Sequence, residues 1–401
     1  MSGKLSRRAS GVDPFIVMDV MAAAAEKEAA GDTVIHLEVG QPSTPAPKGA
    51  LAAAHAALDT DRIGYAAALG VPALRERIAQ HYRETYGTEV SPDRVVVTTG
   101  SSGGFPLAFL ASFDVGDRVA LAAPGYPAYR NILAALNLEA VDLPTSAADR
   151  YQPTVEALEK AGRIDGLIVA SPSNPTGTMV SHDELRSLAD WCNRRGVRLI
   201  SDEIYHGIVY EGETASAVGV TDNAIVVNSF SKYFSMTGWR VGWLVVPPDL
   251  VRPIERLTQN FFISVPTLSQ YAALASFECR DELDGHVRRY RANRDLLMAG
   301  LPSAGLDRLT PAQGAFYLYA DVSHLTNDSR EFCRRMLREA GVATTPGVDF
   351  DRARGAGTLR ISFAGSMAEM EDAVRRLKAW RRAWSKRPLV RRQRFPLGRR
   401  V

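Results

Sequence analysis

Seven short runs of β-branched and apolar residues, with helical patterns filling most of the gaps between them, constrain this chain more than any other feature. They occupy 94–99, 118–121, 138–141, 167–170, 197–201, 224–228 and 241–246. Strands separated by helix-length segments pair in parallel through crossovers, and each crossover lays its helix on a face of the sheet. The expected architecture is α/β, with a large domain in which a mostly parallel seven-stranded sheet lies between helices. The last run follows its predecessor after a short excursion, which predicts an antiparallel strand. A long helical region from Asp249 to about Leu301 comes next. The pattern then changes to FYLYADV, a helix over 329–340, TLRISFA and a final helix from about Ser366. This reads as a smaller α+β domain that the N-terminal segment completes. The expected partition is 1–48 for an N-terminal arm and part of the small domain, 49–290 for the large domain, 291–384 for the small domain and 385–401 for a basic, disordered tail.

In open parallel sheets ligands collect outside the carboxyl ends of the strands, and four of these runs end in chemically distinctive loops. The most informative is NSFSKYFSMTGWR, where a lone Lys232 enters a Ser/Gly/Phe turn with Ser229 three residues before it and Arg240 eight after it. An amine held in a crevice condenses with an aldehyde, while a hydroxyl and a guanidinium fork suit a phosphate. Together they suggest a pyridoxal phosphate lysine. RVVVTT runs into Gly100, Ser101 and Ser102, a strand, glycine loop and helix start that would receive an anion. Neither GxxxxGK[ST] nor GxGxxG occurs, which disfavours a nucleotide. GLIVASPSNPTG places Asn174 where its amide can donate to a phenolate. VRLISDEIY ends in Asp202, whose carboxylate would keep a pyridine nitrogen protonated and the ring electron-poor. Tyr205 would donate to the ring oxygen and keep Lys232 reactive near neutral pH. Singly, each has a plain structural reading: a solvated lysine, a flexible turn, an Asn capping the helix near His182, a solvated strand end. No second acidic cluster supports magnesium at Asp202 and Glu203, and no metal site is expected.

In this order the segments resemble the class I/II aminotransferases of the aspartate aminotransferase superfamily, the fold-type I pyridoxal phosphate enzymes. The family's S-x-S-K-x-x-x-x-x-G-x-R motif matches Ser229 to Arg240, its NPTG motif Asn174 to Gly177, and its D-E-x-Y motif Asp202 to Tyr205. The resemblance implies pyridoxal 5'-phosphate on Lys232, with Tyr126 of PGYPAY stacked on the cofactor. It implies that Arg360 of LRISFA clamps the substrate's α-carboxylate, beside Asn174 and the loop of Gly40 in LEVGQPSTPAP. Tyr65 of GYAAALG would reach the phosphate of a neighbouring subunit, implying a homodimer. The implied reaction is ping-pong transfer of an amino group from an L-amino acid to a 2-oxo acid, with Lys232 moving the α-proton. The alternative is a lyase reaction on the same scaffold: β-elimination, C–S cleavage or an aminocyclopropanecarboxylate-synthase-like ring closure. A transcription regulator with such a fold as its sensor would need a DNA-reading module, for which the residues before Asp13 leave no room.

Charge is unevenly distributed. From Arg375 onward there are 12 Lys or Arg and no Asp or Glu, so residues 1–374 carry 36 basic against 45 acidic groups, and the total of +3 conceals an acidic body with a basic tail. The tail is expected to be solvated or to clamp a neighbouring subunit, in preference to nucleic acid or a membrane surface. The stretch FIVMDVMAAAA follows Arg7 and Arg8, but Asp13, Pro14 and Asp19 interrupt it and it continues into Glu26, so it reads as an amphipathic helix and not as a signal peptide. Cys192, Cys279 and Cys333 are scattered and suit a reducing cytoplasm. For the substrate's side chain no second arginine stands out, since Arg130, Arg256 and Arg291 read as surface residues. Tyr129, Phe261, Phe262 and Phe316 fit either an apolar pocket or the core.

Overall fold

The computed structural model describes residues 6–385, so the basic tail over 386–401 lies outside the described residues. Strands are numbered in chain order: β1 (Ile35–His36), β2 (Val95–Thr98), β3 (Arg118–Ala123), β4 (Glu139–Pro144), β5 (Gly166–Ala170), β6 (Arg198–Asp202), β7 (Ile225–Ser229), β8 (Gly242–Val245), β9 (Arg308–Leu309), β10 (Tyr317–Asp321), β11 (Val342–Ala343), β12 (Thr345–Pro346) and β13 (Thr358–Ser362).

The seven runs form one sheet in the order β2-β8-β7-β6-β5-β3-β4. Its pairs are parallel except the two made by β8, which is antiparallel to both β2 and β7, as the short excursion before it predicts. Alternation of side chains assigns Val95 and Val97 to one face and Val96 to the other. On the first face Val95 and Val97 meet Ala50, Ala54, Leu74, Ile78, Leu185 and Ala272 from four helices. On the second, Val96 joins Phe105 and Phe109 of Ser101–Ser112 and Ile254 of Pro248–Phe261. Burial on both faces explains why these strands read as unbroken apolar runs.

Local signals set the helix ends. His182–Arg195 starts on a capping box between Ser181 and Glu184 and stops at Gly196, which is left-handed. The cap of that helix is therefore Ser181, not Asn174. The long helical region divides into Pro248–Phe261, Thr267–Ser276 and Arg280–Gly300.

The small domain is a four-stranded antiparallel sheet, β12-β13-β10-β9, covered by Ser329–Ala340 and Met367–Ser385. The N-terminal segment completes it, since β1 pairs in parallel with β11. The helix Ile16–Ala29 packs Ala24 and Val20 against Leu337 and Ala343. One reading of the sequence is corrected here: Arg256 and Arg291 are exposed, but Arg130 is buried. Its guanidinium donates to Asp142 Oδ1 and to the carbonyls of Asp349 and Phe350.

Candidate active site

At the carboxyl ends of β3, β5, β6 and β7 lies a cavity of about 240 Å³. Ser101, Ser102, Tyr126, Asn174, Asp202, Tyr205, Ser231, Lys232, Arg240 and Arg360 line it, with Gly40. Strand geometry sorts the two acids after β6 to different surroundings. Asp202 lines the cavity, whereas Glu203 is held by the hydroxyls of Ser201 and Ser216 and the amide of Ala217. Among the described residues no cluster of His, Cys, Asp or Glu could hold a metal ion.

Lys232 Nζ donates to the carbonyl of Gly40 at 2.6 Å. Burial, then the positive charges of Arg360 and Arg240, lower its pKa to about 8 against the opposing pull of Asp202. The Asp202 carboxyl is pushed up to about 6 by burial, opposed by donors from Tyr129 and the Ile204 amide and by Lys232. Tyr129 O–H donates to its Oδ2, a contact the sequence left unassigned, while Ile204 N–H donates to Oδ1 at 3.2 Å. Tyr126 is held on edge between Phe15 and Tyr129, with ring centroids 5.8 and 5.3 Å away.

Arg360 on β13 is buried, with its guanidinium over the ring of Tyr317 at 4.4 Å and that of Phe350 at 4.9 Å. It donates to Asn174 Oδ1 at 2.8 Å, to the Glu38 carbonyl and to Thr345 Oγ1, while its Nε has no partner among the described residues. None of the described carboxylates forms an ion pair with it. A buried guanidinium with no carboxylate in direct contact is costly, the charge of Asp349 reaching it only at longer range, and a carboxylate ligand offers the planar partner it lacks. Because Asn174 Oδ1 accepts from Arg360, the Nδ2 end of its amide is the donor.

Two glycines have steric reasons. Gly100 is left-handed at the start of Ser101–Ser112, and a Cβ there would lie 2.8 Å from Arg240 Nη2. A Cβ on Gly40 would lie 1.8 Å from the hydroxyl of Tyr317, which in turn bonds the Tyr205 hydroxyl at 2.7 Å. Tyr317 is one aromatic that sequence reasoning missed. Its signal was the position next to Phe316 on an apolar strand, indistinguishable there from core.

Other sequence-selected residues lie apart. Ser229 sits a layer below the cavity, with its hydroxyl donating to the Val241 carbonyl and sharing a 2.8 Å contact with Ser231, and it is Ser231 that lines the space. Tyr65 is 83% exposed and outside the cavity of its own chain. Phe316 is buried core, and Phe261 and Phe262 are exposed and away from the cavity. Tyr129 does line it. The apolar wall comes from residues the sequence did not suggest: Phe15, Val17, Met18 and Met21, with Val39 and Ile204.

Comparison with known proteins bears on the chemistry. The family model for aminotransferase class I and II matches residues 32–377. The chain is 52% identical to the valine–pyruvate aminotransferase of Mycobacterium tuberculosis, over 95% of this chain and 99% of that protein. It is 32% identical to the aspartate/prephenate aminotransferase of Thermus thermophilus, over 93% and 98%. A crystal structure of an aminotransferase from M. tuberculosis superposes with a TM-score of 0.93 at 52% identity, over 95% of this chain and all of that one. T. thermophilus aspartate aminotransferase with maleate gives 0.89 at 32%, over 94% and 100%. The lyase alternative finds no such support. The chain belongs to the class I and II aminotransferases, a pyridoxal phosphate-dependent family, and the reaction it catalyses is amino-group transfer.

Proposed function

We propose that the cavity holds pyridoxal 5'-phosphate on Lys232 and passes an amino group, by a ping-pong route, between an amino acid with an apolar side chain and a 2-oxo acid. The observation that carries this is the charge of the lining: Lys232, Arg240 and Arg360 against the single carboxylate of Asp202. That set suits a phosphate dianion at Arg240, Ser101, Ser102 and Ser231 beside a helix N-terminus, a basic ring nitrogen at Asp202 and a substrate carboxylate at Arg360. Tyr126 offers a ring face, and Tyr205 and the Asn174 amide offer donors to a phenolate oxygen. When bound, the cofactor supplies an electron sink for the substrate's α-carbon.

The protein's own groups do the rest. Arg360 fixes the carboxylate with a planar fork. Lys232 Nζ, with a pKa near 8, exists in part as free amine at neutral pH and takes the α-proton. The apolar wall excludes water. Among the described residues of this chain no lining cation is left for a second carboxylate, so the cavity favours an uncharged side chain, and the valine–pyruvate activity of the M. tuberculosis relative points the same way. Tyr65, exposed in one chain, is assigned to the site of a partner subunit in a homodimer. The three cysteines are free thiols, which supports a reducing, cytoplasmic setting.

The test is a donor panel on wild-type and Lys232→Ala enzyme. Wild-type should be yellow and prefer valine-like donors, with pyruvate consumed as the amino acceptor and alanine formed. The variant should lose turnover by at least roughly 10²–10⁴-fold. Wild-type turnover in Lys232→Ala would end the assignment.

A further inference from the structure

The wall of the cavity built by Phe15, Val17, Met18 and Met21 belongs to the start of Ile16–Ala29, and that helix begins without a cap of its own, since Phe15 has no side-chain acceptor. The acceptor comes from the other end of the chain: Ile16 N–H donates to Asp349 Oδ1 at 3.3 Å. Asp349 is 5% exposed, forms no ion pair among the described residues, and its Oδ2 has no hydrogen-bond partner among them. A buried carboxylate with so few donors leans on the positive end of the helix it faces, where the Ile16 and Val17 amides favour its charged form, together with the nearby charges of Arg360 and Arg130.

The turn that carries Asp349 is itself braced. Arg130 donates to the carbonyls of Asp349 and Phe350, and the Phe350 ring lies under the Arg360 guanidinium. A second tie lies just ahead of the helix, where Asp13 pairs with Arg352 and its carbonyl accepts from Asn131 Nδ2. The turn under Arg360 therefore also sets the helix that faces the substrate's side chain.

We propose that Asp349 is a positioning residue that fastens Ile16–Ala29 over the cavity, and that Val17, Met18 and Met21, with Phe15, form the surface that selects an apolar substrate side chain. This rests on the apolar-donor reading above. Valine and alanine present the same groups to Arg360 and Lys232 and differ in the branch that reaches this wall. Apolar pockets discriminate by roughly tenfold or more per methylene, so loosening the helix removes that preference and costs valine more than alanine.

The experiment uses holoenzyme as wild-type, Asp349→Ala, Asp349→Asn and Met18→Gln. It reads amide hydrogen exchange over residues 15–22 and kcat/KM for valine and for alanine with one 2-oxo acid. Asp349→Ala should speed exchange in that segment and lower the valine-to-alanine ratio about tenfold, mainly through the KM for valine. Asp349→Asn keeps an acceptor oxygen and should restore both readings. Met18 is 55% exposed, so Met18→Gln should fold normally and lower the ratio without changing exchange. Unchanged exchange in Asp349→Ala overturns the fastening role. A wild-type ratio in both Asp349→Ala and Met18→Gln overturns the selecting surface. Preference of the wild-type enzyme for aspartate over valine overturns the apolar-donor reading instead, and the exchange measurement then judges the fastening by itself.

Discussion

A lysine's usefulness here depends on how its neighbours divide their effects on one proton. Lys232 has burial and two guanidinium groups against its charged form and one carboxylate in favour of it, which brings the amine from the usual 10.5 down to about 8. In cofactor-free enzyme its reaction with an amine-directed reagent should rise with pH through a midpoint near 8, because the protonated form below that pH has no lone pair to offer. Asp202→Asn removes the charge that raises this pKa, so its midpoint should fall, whereas Arg360→Met should move it upward. A midpoint near 10 in a peptide-mapped reaction would show the lysine to be solvated. Gly100 is as constrained as any charged residue in the site, by its left-handed backbone and the 2.8 Å between a would-be Cβ and Arg240. Gly100→Ala should displace the guanidinium and raise the cofactor's dissociation constant at least about tenfold, one charge-assisted hydrogen bond's worth. Equilibrium dialysis of cofactor against the variant measures it.

The capping box at Ser181 and the left-handed stop at Gly196 went unread in favour of Asn174, whereas two elements were legible in the sequence, the apolar runs of the sheet and the antiparallel turn-back of β8. Strand order was not, since β8 lies between β2 and β7 and β5 beside β3 through contacts that no local pattern records. The motif residues at strand ends were legible because parallel strands deliver their carboxyl ends to one crevice. The Tyr129–Asp202 bond, the Tyr317–Tyr205 pair and the 333-residue separation of Ile16 from Asp349 were hidden for the same reason as the strand order. The turn Gly347–Asp349 shows what such long-range fits demand. A Cβ on Gly347 would sit 1.9 Å from Thr358 Oγ1 and 2.6 Å from the Gly355 carbonyl. Gly347→Ala should therefore push the turn away from β13, disturbing Phe350 beneath Arg360. The expected result is a raised KM for every amino donor, by about tenfold if one carboxylate bond is weakened, with kcat less affected. An unchanged KM for all donors would show that the turn relaxes without moving the arginine.

At the scale of the whole molecule, one chain leaves Arg240 of the cavity and its own Tyr65 in solvent. Tyr65 is 83% exposed, and Phe261 and Ile263 are more than half exposed. Arg240 is also exposed and, like Arg360, pairs with none of the described carboxylates. If Tyr65 serves a partner's site, the two halves of each site come from different chains, and that makes a complementation test decisive. Tyr65→Ala dimers lack the tyrosine in both sites, and Lys232→Ala dimers lack the amine in both. In a mixed dimer, the site built on the Tyr65→Ala chain has an intact Lys232 and receives its tyrosine from the Lys232→Ala partner, so one of two sites is whole. Random mixing makes half of all dimers mixed, so refolding the two variants together should recover about a quarter of wild-type activity where each alone shows little. Were Tyr65 to act within its own chain, the mixed dimer would hold one site without the amine and one without the tyrosine, and activity would stay at the average of the two variants.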